Sequence, residues 1–155
     1  MGLLPLILSL YFPLCATSGT TGIPAPGVID FQHFHRPEFS NLLIAPAGLG
    51  LPADGMAAVY DVPAQRLFAA FQQIAAAQPR TYALDDEPAA LQAAWVVRSA
   101  GGNFPDVVDV AVVVEGPSKS SFIFYTHSLY GWYPWGVLTK RARIWLHNLN
   151  LKVTE

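Results

Sequence analysis

The stretch that most constrains this chain is VVDVAVVVE (107–115), its most β-branched run. Side chains branched at Cβ fit a pleated surface better than a helix, so the run predicts a central strand. Its flanks set the pairing. GGNFPD (101–106) turns the chain before it, and GPSKS (116–120) makes a tight connection after it. LQAAWVVRS (91–99) and SFIFYTHS (121–128) then read as neighbouring strands, with Leu91, Ala93, Trp95 and Val97 on one face of the first. Strands joined in succession by short turns pair antiparallel.

Two further strands are expected upstream, MAAVYDV (56–62) and one beginning at RTYAL (80–84), with DDEP (85–88) as a turn. Between them Pro63 suits a first helical turn. Ala64, Leu67, Phe68, Phe71, Ile74 and Ala75 recur at helical spacing, with Gln65, Arg66, Gln72 and Gln73 opposite, until Pro79 stops the helix. A last helix is expected where Leu138, Ala142, Trp145 and Leu149 fall on one face. The predicted domain therefore covers 56–155 and is α+β. Its order is β-α-β-β-β-β-α, an antiparallel sheet of about five strands covered by two helices.

Residues 19–55 contain GTTGIPAPG (19–27) and APAGLGLPADG (45–55) and show no period, so they predict an extended Pro/Gly-rich arm. Such an arm either lies across the domain or reaches a partner. Residues 1–18 hold the uncharged run LLPLILSLYFPLCA (3–16). It is shorter than the roughly 20 residues a spanning helix needs, which suits a signal peptide or a membrane-anchor segment. Cys15 is the single cysteine, which excludes an intramolecular disulfide and a thiolate zinc site.

Charged residues make up 13% of the chain, against about 25% in a typical soluble domain. That deficit predicts contact with lipid or another protein. A net charge of −2 supplies no cationic stripe, so no nucleic-acid partner is expected. No phosphate-binding or dinucleotide glycine pattern occurs, and the serines lack a nucleophile-elbow context. His33 and His35 are two residues apart, without a carboxylate set to complete a metal site. No catalytic residue, cofactor or metal is expected.

The segments VYDVPAQRLFAAFQQIAAAQPRT (59–81), LQAAWVVRSAGGNFPDVVDVAVV (91–113) and SFIFYTHSLYGWYPWGV (121–137), with Arg141 and Trp145–Leu146, resemble the DUF1499 family of bacterial and plastid proteins. The resemblance covers roughly three quarters of the chain, from about Asp30 to Asn150. It implies a membrane or envelope setting but no reaction, since the family has none established. Where the family reads S-x-S-x-x-G-x-S-D-x-G-V-N-R-x-R, Thr126, Ser128, Gly131, Gly136, Val137 and Arg141 fit. Tyr133-Pro134 replace Ser-Asp, and Leu138-Thr139 replace Asn-Arg. APAGLG (45–50) fills the place of an upstream cysteine pair.

Arg98, Asp106, Asp109 and Arg141 still match, and are expected to form a structural polar network. In it Arg98 would lie near Asp106 or Asp109 across the strand pair. Tyr130, Trp132, Tyr133 and Trp135 crowd a turn at 130–135, and Lys140 and Arg143 follow. Aromatic rings beside cations predict an interaction surface for a membrane or a membrane protein complex. The expected function is a non-catalytic accessory protein, membrane-associated and periplasmic or envelope-facing, docking through the arm and this turn. The alternative is a carrier of a small hydrophobic ligand. An enzyme would have to draw on Arg98, Asp109, His127 and Arg141.

Overall fold

The computed structural model describes Ile7, residues 10–130 and residues 136–155. Its centre is a six-stranded sheet in the order β2-β1-β6-β5-β4-β3. The strands are β1 (Asn41–Ala45), β2 (Gly55–Met56), β3 (Thr81–Glu87), β4 (Gln92–Arg98), β5 (Pro105–Gly116) and β6 (Lys119–Ser128). The helices are α1 (Ala64–Ala77) and α2 (Val137–Thr154). The α+β class and the two covering helices are as expected. The sheet has one more strand than expected and is mixed, because β1 and β2 run parallel while every other pair is antiparallel.

The extra strand, β1, lies inside the stretch read as arm. It pairs with β6 from Asn41↔His127 to Ile44↔Phe124. The strand expected over 56–62 is reduced to the two residues of β2 and a single bridge, Tyr60↔Ser120. Hydroxyls tie that segment down instead: Ser120 Oγ donates to Val62 O and Ser121 Oγ to Ala58 O, each at 2.8 Å. The DDE acids sit in β3 rather than in a turn. There they put charge on an edge strand, whose register also shifts between Ala83 and Asp85. Both features discourage pairing with another sheet.

Alternation along β5 explains its composition. Val108, Val110 and Val112 face α1 and α2, joining Leu67, Phe71, Ile74, Phe122, Phe124, Trp145 and Leu149. Val107 and Ala111 face the other way. A strand buried on both faces reads as a near-continuous apolar run. The second face is covered by the arm. Phe31 packs with Leu43, Ala111, Ile123 and Tyr125, and Ile23 packs with Val96 and Val107. The arm thus lies across its own domain, forming a third layer over the sheet.

Polar side chains fix that layer. Gln92 on β4 imitates a strand partner for Ile29, accepting from its N–H at 2.8 Å and donating to its carbonyl at 3.0 Å. Asp85 accepts from Gly27 N–H at 2.8 Å, where the chain adopts φ +67°. Arg36 holds the far end of the arm, donating to Asn41 Oδ1, Pro52 O and Asp54 Oδ2. Among the described residues no helix is long and apolar enough to cross a membrane.

Candidate functional site

Of the four expected network residues Arg98, Asp106 and Asp109 are buried and Arg141 is partly buried, but the sheet divides them. Val97 and Arg98 are opposite Asp106 and Pro105 in the β4–β5 register. Arg98 points to the arm face and Asp106 to the helix face, so the expected Arg98–Asp106 contact is not made. Arg98 also turns away from Asp109. Its guanidinium donates to Gly19 O at 2.9 Å, Leu14 O at 2.7 Å, Asn103 O at 3.2 Å and Thr17 Oγ1 at 2.9 Å. Asn103 adds bonds to Cys15 O at 3.1 Å and Thr17 O at 2.8 Å. These residues staple the N-terminal segment to the sheet.

Tyr130 belongs to the same staple. Its hydroxyl accepts from Leu14 N–H at 2.7 Å, and its ring meets Phe12 edge-on at 5.0 Å. This half-buried ring, expected to face a partner, packs on the chain's own N-terminal segment. Trp132, Tyr133 and Trp135 lie outside the described residues.

Asp109, also on the arm face, sits 3.6 Å from His127 Nε2. Burial pushes its carboxyl above the ordinary range, against the pull of His127. The same burial, with the Asp109 charge, pushes the neighbouring Tyr125 hydroxyl up to about 12. Phe34 and His127 pack on the two sides of Tyr125, each 5.1 Å away. The cavity next to Asp109 holds only about 10 Å³, far too little for a substrate.

This carboxylate carries a testable cost. An acid whose folded pKa exceeds its unfolded one holds its proton more tightly in the fold. Its contribution is most favourable in acid, below the ordinary value of 3.8, and is lost as pH rises through the raised value. Asp109→Asn is therefore expected to stabilise the protein by about 1 kcal/mol at neutral pH and to do nothing below the ordinary carboxylate range. Urea unfolding at the two pH values checks this. Destabilisation at neutral pH that vanishes in acid would mean that the His127 contact outweighs burial.

On the helix face Arg141 Nη1 lies 2.8 Å from Asp106 Oδ2 and 3.3 Å from Thr126 Oγ1. Arg141 and Asp106 thus form a close ion pair. Burial raises the Asp106 carboxyl, and Arg141 opposes the rise. Beyond this pair opens a cleft of about 340 Å³ between the end of α1, the end of β4 and the first turns of α2. Val97, Val137, Ile144 and Trp145 supply apolar walls, while Arg80, Lys140 and Arg141 supply charge. Sequence reasoning missed Arg80, which carries no motif. It adopts φ +49° and donates from Nε to Arg98 O at 3.0 Å.

Two other clefts differ in character. One of about 250 Å³ is lined by Gln72, Asp85, Asp86 and Trp95, and one of about 270 Å³ lies between β1, β2 and α2. Of the residues an enzyme would have drawn on, Arg98, Asp109 and His127 face the arm and Arg141 faces α2, so the four do not converge. Among the described residues no group of three or more His, Cys, Asp or Glu is placed to hold a metal ion. His33 is paired with Asp30 at 2.7 Å. No protein-family model, curated protein or solved structure matches this chain.

Proposed function

We propose that this protein is a non-catalytic accessory protein that works at a membrane, docked on a membrane protein complex through the 130–135 turn and the outer side of α2. The observation that carries this reading is how the polar groups are spent. Arg98, Asn103, Gln92 and Arg36 are bonded to the chain's own N-terminal segment and arm. The arm therefore acts inside the fold, and the outer side of α2 is left for a partner. That side carries Lys140, Arg143 and His147 with Ile144 and Leu151, which are 42% and 53% exposed. Cations interleaved with apolar residues suit an anionic headgroup layer or an acidic partner surface. The relationship to the DUF1499 family and the envelope-facing location belong to this reading and rest on the sequence motifs.

The native protein is expected in the membrane fraction, within a detergent-solubilised particle larger than the monomer. Lys140→Glu with Arg143→Glu, or Trp132→Ala with Trp135→Ala, should release it as a folded monomer. A protein that is monomeric before either change would overturn the proposal. The carrier alternative has one observation in its favour, the apolar-walled cleft beside Trp145. Its volume of about 340 Å³ falls at the low end for ligand sites.

A further inference from the structure

We infer that the cleft beside α2 binds a phosphate group carried on an apolar chain. Three of the chain's nine lysines and arginines, Arg80, Lys140 and Arg141, bring charge to it, Arg98 lines it with its guanidinium turned to the arm face, and no carboxylate lines it. In a chain of net charge −2 that segregation is specific, since the cleft at the other end of the same helix–strand edge is lined by Asp85 and Asp86. Not all four cations are available. Arg98 spends its guanidinium on the N-terminal segment, and Arg141 is shared with Asp106. Arg80 and Lys140 are exposed and face the cleft with their charge unspent on any carboxylate among the described residues.

Arg80 is also held at a cost. A non-glycine residue at φ +49° is strained, and such strain concentrates where a side chain must be placed. The Nε bond to Arg98 O fixes the base of its guanidinium, and the outer nitrogens bond to no carboxylate among the described residues. A phosphate, with several acceptor oxygens, can engage Arg80 and Lys140 together. Val97, Val137, Ile144 and Trp145 offer the attached chain an apolar wall.

The ligand could be a lipid headgroup in a bilayer or a free phosphorylated amphiphile. The purified full chain should bind phosphatidylcholine vesicles containing phosphatidic acid and not phosphatidylcholine alone. Arg80→Gly and Lys140→Gln should each weaken this about fivefold, and together about 25-fold, whereas Lys119→Gln should leave it unchanged. Arg80→Gly also removes the backbone strain, so its thermal midpoint should stay close to the parent's and separate lost binding from lost folding. A soluble short-chain lysophosphatidate should compete at least tenfold better than inorganic phosphate. Equal competition by inorganic phosphate would overturn the role of the apolar wall. Undiminished vesicle binding by the double variant would overturn the site. The inference rests on the preceding reading only for where the lipid comes from. Binding of the soluble amphiphile by a protein absent from membranes would sink that reading and keep this one.

Discussion

Replacing Arg98 with Ala is expected to cost about 3–5 kcal/mol of folding stability, on the order of 10 °C in Tm. Arg98 is 2% exposed, and its hydrogen bonds go to three carbonyls and one hydroxyl, with no carboxylate among them. Each hydrogen bond to a charged group contributes roughly 1.5–3 kcal/mol, while burying the cation costs several. The bonds win because the fork reaches four acceptors at once and orders the N-terminal segment over Val96 and Val107. Lys cannot reproduce that fork, so Arg98→Lys should recover only part of the loss. Deleting residues 1–16 should reproduce most of it, since Leu14 then no longer meets Arg98 and Tyr130. Denaturant unfolding measures the loss, and limited proteolysis should cut the variant first within residues 12–22. A loss under about 1 kcal/mol with the segment still protected would mean that burial of the cation cancels its bonds.

How much of this was legible in the sequence follows from how local each signal is. The buried face of α1, from Ala64 to Ala75, and that of α2, at Ala142, Trp145 and Leu149, are set by periodicity within one element. The succession β4, β5, β6 is set by turns between adjacent strands. β1 had no such signal. It has five residues, and its partner β6 lies far along the chain. Ile23 likewise sits among prolines and glycines, and Phe31 lies in a short stretch without a period to mark it as core.

Asp106 and Arg141 do pair, but Arg98 is absent from the network for a related reason. Parity along β4 separates Arg98 from Trp95, and parity along β5 groups Asp106 with Val108. Which parity of one strand shares a face with which of the other depends on register, and a one-residue difference reverses it. Arg80 was hidden in another way. The helix cap Gln78 is extended, and the left-handed residue comes two positions later, at an arginine with no glycine to signal it.

Trp145→Ala is the other change expected to be large, at about 3–5 kcal/mol. The indole is 2% exposed and meets Trp95 edge-on at 5.6 Å and Phe124 at 5.8 Å. Alanine would leave a cavity bounded by two rigid rings from neighbouring elements, which cannot collapse into it. The effect reaches beyond stability because Trp145 also lines the cleft and stands one helical turn after Arg141. If α2 lifts from the sheet, the Asp106–Arg141 pair loosens and Lys140 moves away from Arg80. Trp145→Ala should therefore lose vesicle binding along with stability, while Trp145→Phe, which keeps a ring against Trp95, should retain most of both. A Trp145→Ala protein within about 1 kcal/mol of the parent would show that α2 is seated by Leu149 and Ala142 instead. The cleft would then be independent of the core beneath it.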